Sequence, residues 1–304
     1  MTGSLRRAAK RAAWVVGHYD RALARRTFPG VAVLCYHGVL EPGAAREQVP
    51  FHALHVGRDE LEAHCALIAH HCHPVSLAAA AAIWAGDAEA PPRPVLVTFD
   101  DGYEALLRLA LPVLQRHGVP ATVFACTGPI ATGAAFWFDA LARSQGEAAV
   151  ESAKSLPFAD WLALVRSVEA PTAAGDPLAP LSAAELAALA RSPLVTVGAH
   201  TASHPILARA GADEQRAEIE GSLDAIADWT GRRPTAFAYP NGRPGVDYDA
   251  RTRAALIEAG VTVAFNTHDG FARRGEPALE RSRFMMLHGL GVAELAHRMC
   301  HSWR

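Results

Sequence analysis

The run Val95-Leu96-Val97-Thr98-Phe99-Asp100-Asp101-Gly102-Tyr103 decides how this chain is read. Its opening residues are apolar or β-branched without alternation, the pattern of a strand buried on both faces of a parallel sheet. Two adjacent carboxylates follow at the strand's carboxyl end, then a glycine and a helical pattern over 104–117 that Gly118 closes. One Asp in that place is an ordinary helix N-cap. Two in a row repel each other unless a proton or a cation intervenes, so the pair marks a point where a metal is held or protons are moved.

Working outward, similar continuous runs lie at 31–36, 121–125, 195–199, 235–239, 261–266 and 283–287. Helical patterns fall between them: 59–71, 76–84 with Ser76 as N-cap, 213–230 closed by Gly231, and 250–258 closed by Gly260. Alternating strands and helices imply right-handed βαβ units. The prediction is an α/β fold, a distorted (β/α)7-8 barrel with its active site at the carboxyl-terminal rim; an open doubly wound sheet is the competing topology. One connection is far longer than the others. About 128–192 reads as a helical insertion, with helices near 136–143, 158–168 and 182–191, rising from the rim as a lid or substrate wall. The division is thus a basic helical segment at 1–30 and a barrel at 31–304.

Half of the 304 residues are apolar and a fifth are charged, which excludes disorder as the main character. Lys plus Arg number 29 against 31 for Asp plus Glu, so there is no global basic field and nucleic acid is not expected as a partner. No apolar run nears the roughly 20 residues that span a bilayer. Arg6, Arg7, Lys10 and Arg11 precede an apolar patch too short for a secretory signal, so a cytoplasmic location is expected. Leu5, Ala9, Ala12, Val16, Tyr19 and Leu23 recur at helical spacing. Residues 5–26 therefore read either as an amphipathic helix held peripherally at the inner membrane face or as a helix packed on the domain with a solvated basic side. Cys35, Cys65, Cys72, Cys126 and Cys300 are odd in number and form no CxxC pair, which suits reduced, buried thiols. His64, Cys65, His70, His71, Cys72 and His73 match no zinc-finger spacing and are read as one helix with a His-rich surface, ended by Pro74.

A second element, His200-Thr201-Ala202-Ser203-His204, follows the strand at 195–199 and so belongs to the same rim as the Asp pair. Two imidazole nitrogens and one carboxylate oxygen, with a fourth position left to water, are the donor set of a catalytic zinc site rather than a closed structural one.

Together with Phe237-Ala238-Tyr239-Pro240-Asn241-Gly242, these motifs stand in the order seen in polysaccharide deacetylases, and the chain resembles the NodB-homology domain of carbohydrate esterase family 4. Leu34-Cys35-Tyr36-His37-Gly38-Val39 is similar to the first strand of the exopolysaccharide-deacetylase branch. The resemblance runs from about 31 to the end of the chain, apart from much of the insertion. It implies that Asp100 is the general base, that Asp101, His200 and His204 hold one divalent ion such as Zn2+, and that the Asn241 N–H beside Pro240 donates to the oxyanion. A bound zinc lowers the pKa of water from about 15.7 to roughly 7, which amide hydrolysis at neutral pH requires.

Two departures matter. Where the family has Arg-x-Pro-Tyr, this chain has Ala238-Tyr239-Pro240-Asn241, so the Arg that orients the base is missing; Arg281 is the expected replacement, with a surface salt bridge as its plain reading. The general-acid histidine motif is absent too, since Leu287-His288 has the wrong spacing. His37 is the candidate acid and His268 the alternate. Trp137, in Phe136-Trp137-Phe138, is either a platform for a sugar ring or a core residue. The expected function is a metal-dependent hydrolase that removes acetyl groups from an acetylated carbohydrate, a GlcNAc-containing glycan or its precursor. The alternatives are an impaired carbohydrate-binding protein on the same fold and an amidohydrolase acting on a small non-sugar amide.

Overall fold

In the computed structural model, residues 3–44 and 49–302 are described. Among the described residues, ten strands occur in chain order: β1 (Ala32–Tyr36), β2 (Val39–Leu40), β3 (Val56–Gly57), β4 (His73–Pro74), β5 (Pro94–Phe99), β6 (Ala121–Ala125), β7 (Val195–Ala199), β8 (Ala236–Ala238), β9 (Val263–Phe265) and β10 (Phe284–Met285). Eight form one parallel sheet in the order β10-β1-β5-β6-β7-β8-β9, with β4 also on β5, while β2 and β3 pair separately. The main sheet curls. Its two ends are linked by residues 278–286: Arg281 bonds with Ala264 of β9, and three residues later Phe284 pairs with Leu34 of β1. A distorted barrel rather than an open doubly wound sheet is therefore the architecture.

Thr196 of β7 stays exposed, while strands β1, β5, β6, β8 and β9 are buried throughout because both faces of the sheet are covered there. One carries helices α3 (Arg58–His71), α5 (Leu111–His117), α10 (Ala183–Ala190), α11 (Ala212–Thr230), α12 (Ala250–Glu258) and α13 (Val292–His297), which join the main core through residues such as Leu61, Leu114, Leu186, Leu223, Leu256 and Leu295. The other packs Val33, Leu96, Phe124 and Phe265 on Ile83 and Trp84 of α4 (Leu77–Ala85). The Ser76 side chain caps α4 at Ala79 N–H, and Gly118 and Gly231 end α5 and α11 with left-handed φ values of 62° and 76°. Residues Leu106–Ala110 form a π turn leading into α5, so the predicted helix at 104–117 is present but wound unevenly.

Between β6 and β7 the insertion holds α6 (Thr127–Thr132), α7 (Trp137–Gln145), α8 (Glu147–Ala153) and α9 (Phe158–Val168) before α10. It has its own core around Trp137, Leu141, Val150 and Trp161.

Two expectations need correction. The amino-terminal segment is two helices, α1 (Gly3–Val15) and α2 (His18–Ala24), because Gly17 adopts φ 66° between them. Tyr19 and Leu23 consequently turn into the core, at 2% and 0% exposure, rather than continuing the face begun by Leu5. The side chains of Arg6 and Arg7 lie outside the described residues. Second, His64 is not part of a His-rich surface: it is fully buried, its Nε2 donates to the Leu290 carbonyl, and its Nδ1 accepts from the Tyr36 hydroxyl. All five cysteines are free and buried, as their spacing implied.

Candidate active site

The β5 strand ends by delivering both carboxylates to the sheet's carboxyl rim, where Asp100 N–H donates to the Tyr36 carbonyl and Asp101 turns sharply at φ 72°. Gly102 follows at φ 98°, where a side chain would be strained and its Cβ would lie 3.2 Å from Ile130 Cδ1. Thr201, His204 and Asn241 also have left-handed φ values, of 66°, 61° and 56°. Non-glycine residues in that region carry strain that a folded protein keeps mainly where a site needs it. All four stand where a strand's carboxyl end passes into its loop.

After β7 the chain loops so that both imidazoles meet Asp101. His200 Nδ1–H donates to the Ala238 carbonyl at 2.7 Å, which leaves Nε2 with its lone pair. The Nε2 atoms of His200 and His204 each lie 3.5 Å from Asp101 Oδ1, itself buried without a hydrogen-bond partner. Donors about 2.1 Å from a tetrahedral ion stand roughly 3.4 Å apart, so this orphaned oxygen and its two facing nitrogens fit one divalent ion. Burial acts to raise the Asp101 pKa, yet the surrounding imidazoles of His200, His37 and His204 hold it below the usual carboxylate range. Burial together with the neighbouring His200 pushes His204 down to about 3, in favour of the neutral form that ligates metal.

Glu218 of α11 braces this loop. Its carboxylate accepts from the N–H groups of Ala202 and Ser203, at 3.0 and 2.8 Å, and from the Ser203 hydroxyl. From the insertion, Trp137 Nε1–H donates to the His204 carbonyl at 3.1 Å.

Asp100 is bound differently. Both its oxygens accept from Arg283, at 2.7 and 2.8 Å, in a fork whose guanidinium is wholly buried. Arg283 is oriented in turn by the Asn266 carbonyl and the Thr98 hydroxyl. Burial would raise the Asp100 pKa, but the adjacent guanidinium overcomes it and the carboxyl sits below its ordinary range. Cys35, His37 and Asp100 also bring donor atoms within 4.8 Å of one another. With Arg283 on both carboxylate oxygens and burial pushing the Cys35 thiol up, that cluster repels a cation. The charges therefore divide into Asp100 neutralised by an arginine and Asp101 left for an ion.

Asp100, Asp101, His200, His204, His37, Tyr239, Asn241 and Trp137 all line one cavity of about 290 Å³. His37 enters it half-buried, its Nδ1 without a partner. Asn241 is fixed by the Thr267 hydroxyl, which donates to its carbonyl at 2.7 Å. Pro240 is buried beneath that turn. Tyr239 presents its ring, stacked 3.6 Å from Tyr248, while its hydroxyl is committed to the Leu279 carbonyl. Trp137 is a core residue that also lines the cavity: only 5% exposed and packed edge-on against Trp161, it belongs to the insertion core while one side reaches the cavity. Phe138, whose ring centroid is 4.9 Å from that of His204, is the wall residue the sequence did not single out.

Two expected residues are elsewhere. Arg281 does not reach Asp100: it lies over the Trp84 ring at 4.6 Å and donates to the Arg273 carbonyl. Arg283, two residues on and on the same side of an extended segment, takes the place assigned to it. Alternation cannot separate such a pair; only depth along the strand, roughly 7 Å for two residues, does. His268 is exposed and off the cavity.

Among solved structures, the fold is similar to the Streptococcus pyogenes deacetylase PplD in complex with acetate, with TM-score 0.65 and 18% identity over 89% of this chain and 98% of that one. It is similar to IcaB from Ammonifex degensii, with TM-score 0.64 and 20% identity over 90% and 98%. BC0361, a polysaccharide deacetylase from Bacillus cereus, matches with TM-score 0.62 and 21% identity over 89% of this chain and 69% of that one. Identities this low speak for the fold alone. No curated protein matches the chain. The polysaccharide deacetylase family profile matches residues 87–264, a span that holds the Asp pair, both histidines and the Tyr-Pro-Asn turn, so the chain belongs to the polysaccharide deacetylase family of hydrolases.

Proposed function

We propose that this chain removes N-linked acetyl groups from a GlcNAc-containing glycan or glycan precursor, using one divalent ion, Zn2+, held by Asp101, His200 and His204. The observation that carries the reading is the juxtaposition, in one cavity, of a carboxylate locked to an arginine and a three-donor cluster with an orphaned oxygen. When bound, such an ion polarises the acyl carbonyl and acidifies a water.

The chain's own residues supply the rest. Asp100, ionised beside Arg283, accepts the proton of the attacking water. The Asn241 N–H, in a turn held by Thr267, donates to the oxyanion as charge develops. His37, whose ring lies close to Asp100 on the cavity wall, gives a proton to the departing amine. The reading as an impaired binding protein rested on the missing motif arginine, and Arg283 removes that ground. The five unpaired thiols support a reducing compartment as the place of action.

The test is acetate release by the metal-loaded protein from chitooligosaccharides, peptidoglycan fragments, lipid-linked and nucleotide-linked GlcNAc, O-acetyl esters and small acylated amides. Release from GlcNAc amides supports the proposal. Release only from esters or non-sugar amides moves the substrate, and none from any member ends the hydrolase reading.

A further inference from the structure

Helix α1 is turned the opposite way from an ordinary surface helix. Leu5, Ala8, Ala9, Ala12, Val15 and Val16 recur at spacings of three and four, which places them on one face. That face points to solvent: Leu5, Val15 and Val16 are 59%, 81% and 65% exposed, and in the rest of the described chain only Val246 and Ile257 are large apolar side chains left exposed. The inward side is the one with polar contacts. Lys10 pairs with Glu294 of α13 at 2.6 Å, and Trp14 sets its indole edge-on to His71 while packing on the core. The helix is therefore docked firmly with its apolar stripe outermost, an arrangement unfavourable in water unless something covers it.

The charges around the stripe name the cover. Arg21 Nη2–H donates to the Val16 carbonyl at 3.2 Å, which sets a guanidinium at the end of the stripe. Arg11 on α1 and Arg25 at the end of α2 are exposed. The neighbouring acid, Asp20, is paired with His71 at 3.0 Å, and Glu294 with Lys10 and Arg298. Apolar side chains bordered by arginines, with the nearby carboxylates already bonded to partners within the protein, suit the headgroup and upper acyl region of an anionic bilayer. We infer that α1 is a docking face for an anionic lipid surface, entered by Leu5, Val15 and Val16 and attracted through Arg11, Arg21 and Arg25. This is independent of the catalytic reading, since none of these residues touches the cavity.

The whole protein should co-sediment with phosphatidylglycerol-containing vesicles, less with pure phosphatidylcholine, and progressively less as salt rises. The double variant Val15→Glu/Val16→Glu alters only exposed positions. It should weaken vesicle binding at least tenfold while leaving circular dichroism and acetate release unchanged. Arg21→Gln should weaken binding roughly fivefold, the share of one basic side chain at such a surface. Absence of co-sedimentation, or a glutamate variant that binds like the parent, overturns the inference. So does a dimer in sedimentation equilibrium that the same variant dissolves, because a second copy would then be the cover.

Discussion

Replacing Arg283 by Met tests the most consequential contact in the protein. The guanidinium is wholly buried and occupies both oxygens of Asp100, which is itself 2% exposed. Met keeps much of the volume and removes the charge, so a carboxylate is left in the interior with no cation beside it. Stripping one partner from such a pair costs about 3–5 kcal/mol, which for a domain of this size lowers Tm by roughly 6–10 °C. Turnover should fall further than stability alone explains, by about 10² to 10⁴, because an unpaired Asp100 is displaced and protonated when a base is needed. Arg283→Lys restores charge without the fork and should lie between. Asp100→Asn/Arg283→Met, which removes both charges, should be more stable than Arg283→Met alone. Calorimetry on the four proteins, acetate release and bound-metal content read these outcomes, with Arg281→Met as control: it loses its contact with Trp84 but should keep turnover. If Arg283→Met melts and turns over like the parent, or if Arg281→Met is the inactive variant, the assignment of Arg283 is refuted.

Asp101→Ala should empty the metal site, whereas Asp100→Asn should keep the ion and lose about 10² to 10⁴ in turnover; elemental analysis beside kinetics separates them, and metal loss in Asp100→Asn would show the roles exchanged. Glu218→Gln removes the charge bracing the His200–His204 loop and should weaken metal affinity about 10- to 100-fold, measured by competition with a chelator; unchanged affinity would mean the loop holds its shape without it. His64 is held neutral in the fold by burial, with its pKa lowered to about 4 from 6.5. The unfolded chain therefore binds the proton more readily. This contribution is fully present above pH 6.5 and is lost as pH falls to 4, amounting to roughly 3 kcal/mol. His64→Gln should flatten that part of the stability curve in urea titrations at successive pH values, and an identical slope in the variant would assign it to other groups.

Much of the site was legible because its parts are short and sit at strand ends. Asp100-Asp101 after an apolar run and His200-x-x-x-His204 after another are local patterns, and a parallel sheet sends both to the same rim whatever the details of packing. Ser76, Gly118 and Gly231 marked helix ends for equally local reasons, a side-chain oxygen free to cap and a residue at ease with positive φ. Apolar periodicity also placed Leu5, Ala9, Ala12 and Val16 on one face of a helix.

What local pattern does not contain is distance between remote segments and the direction in which a face finally points. Arg281 and Arg283 share a side of one extended segment, so only the register of Phe284 against Leu34 decides that the second reaches Asp100. Glu218 is an unremarkable helix residue until α11 packs behind the histidine loop. Trp137 became both core and cavity wall because the insertion folds on itself before it meets the barrel. The outward turn of α1 was likewise invisible: periodicity identifies a face, while Gly17 and the pairing of Lys10 with Glu294 determine that this one looks away from the core. Chemistry and element type follow from neighbours in the chain. Which arginine holds Asp100, which acid braces the histidine loop and which side of a helix meets solvent follow from contacts between residues far apart in sequence, and those exist only once the sheet has curled.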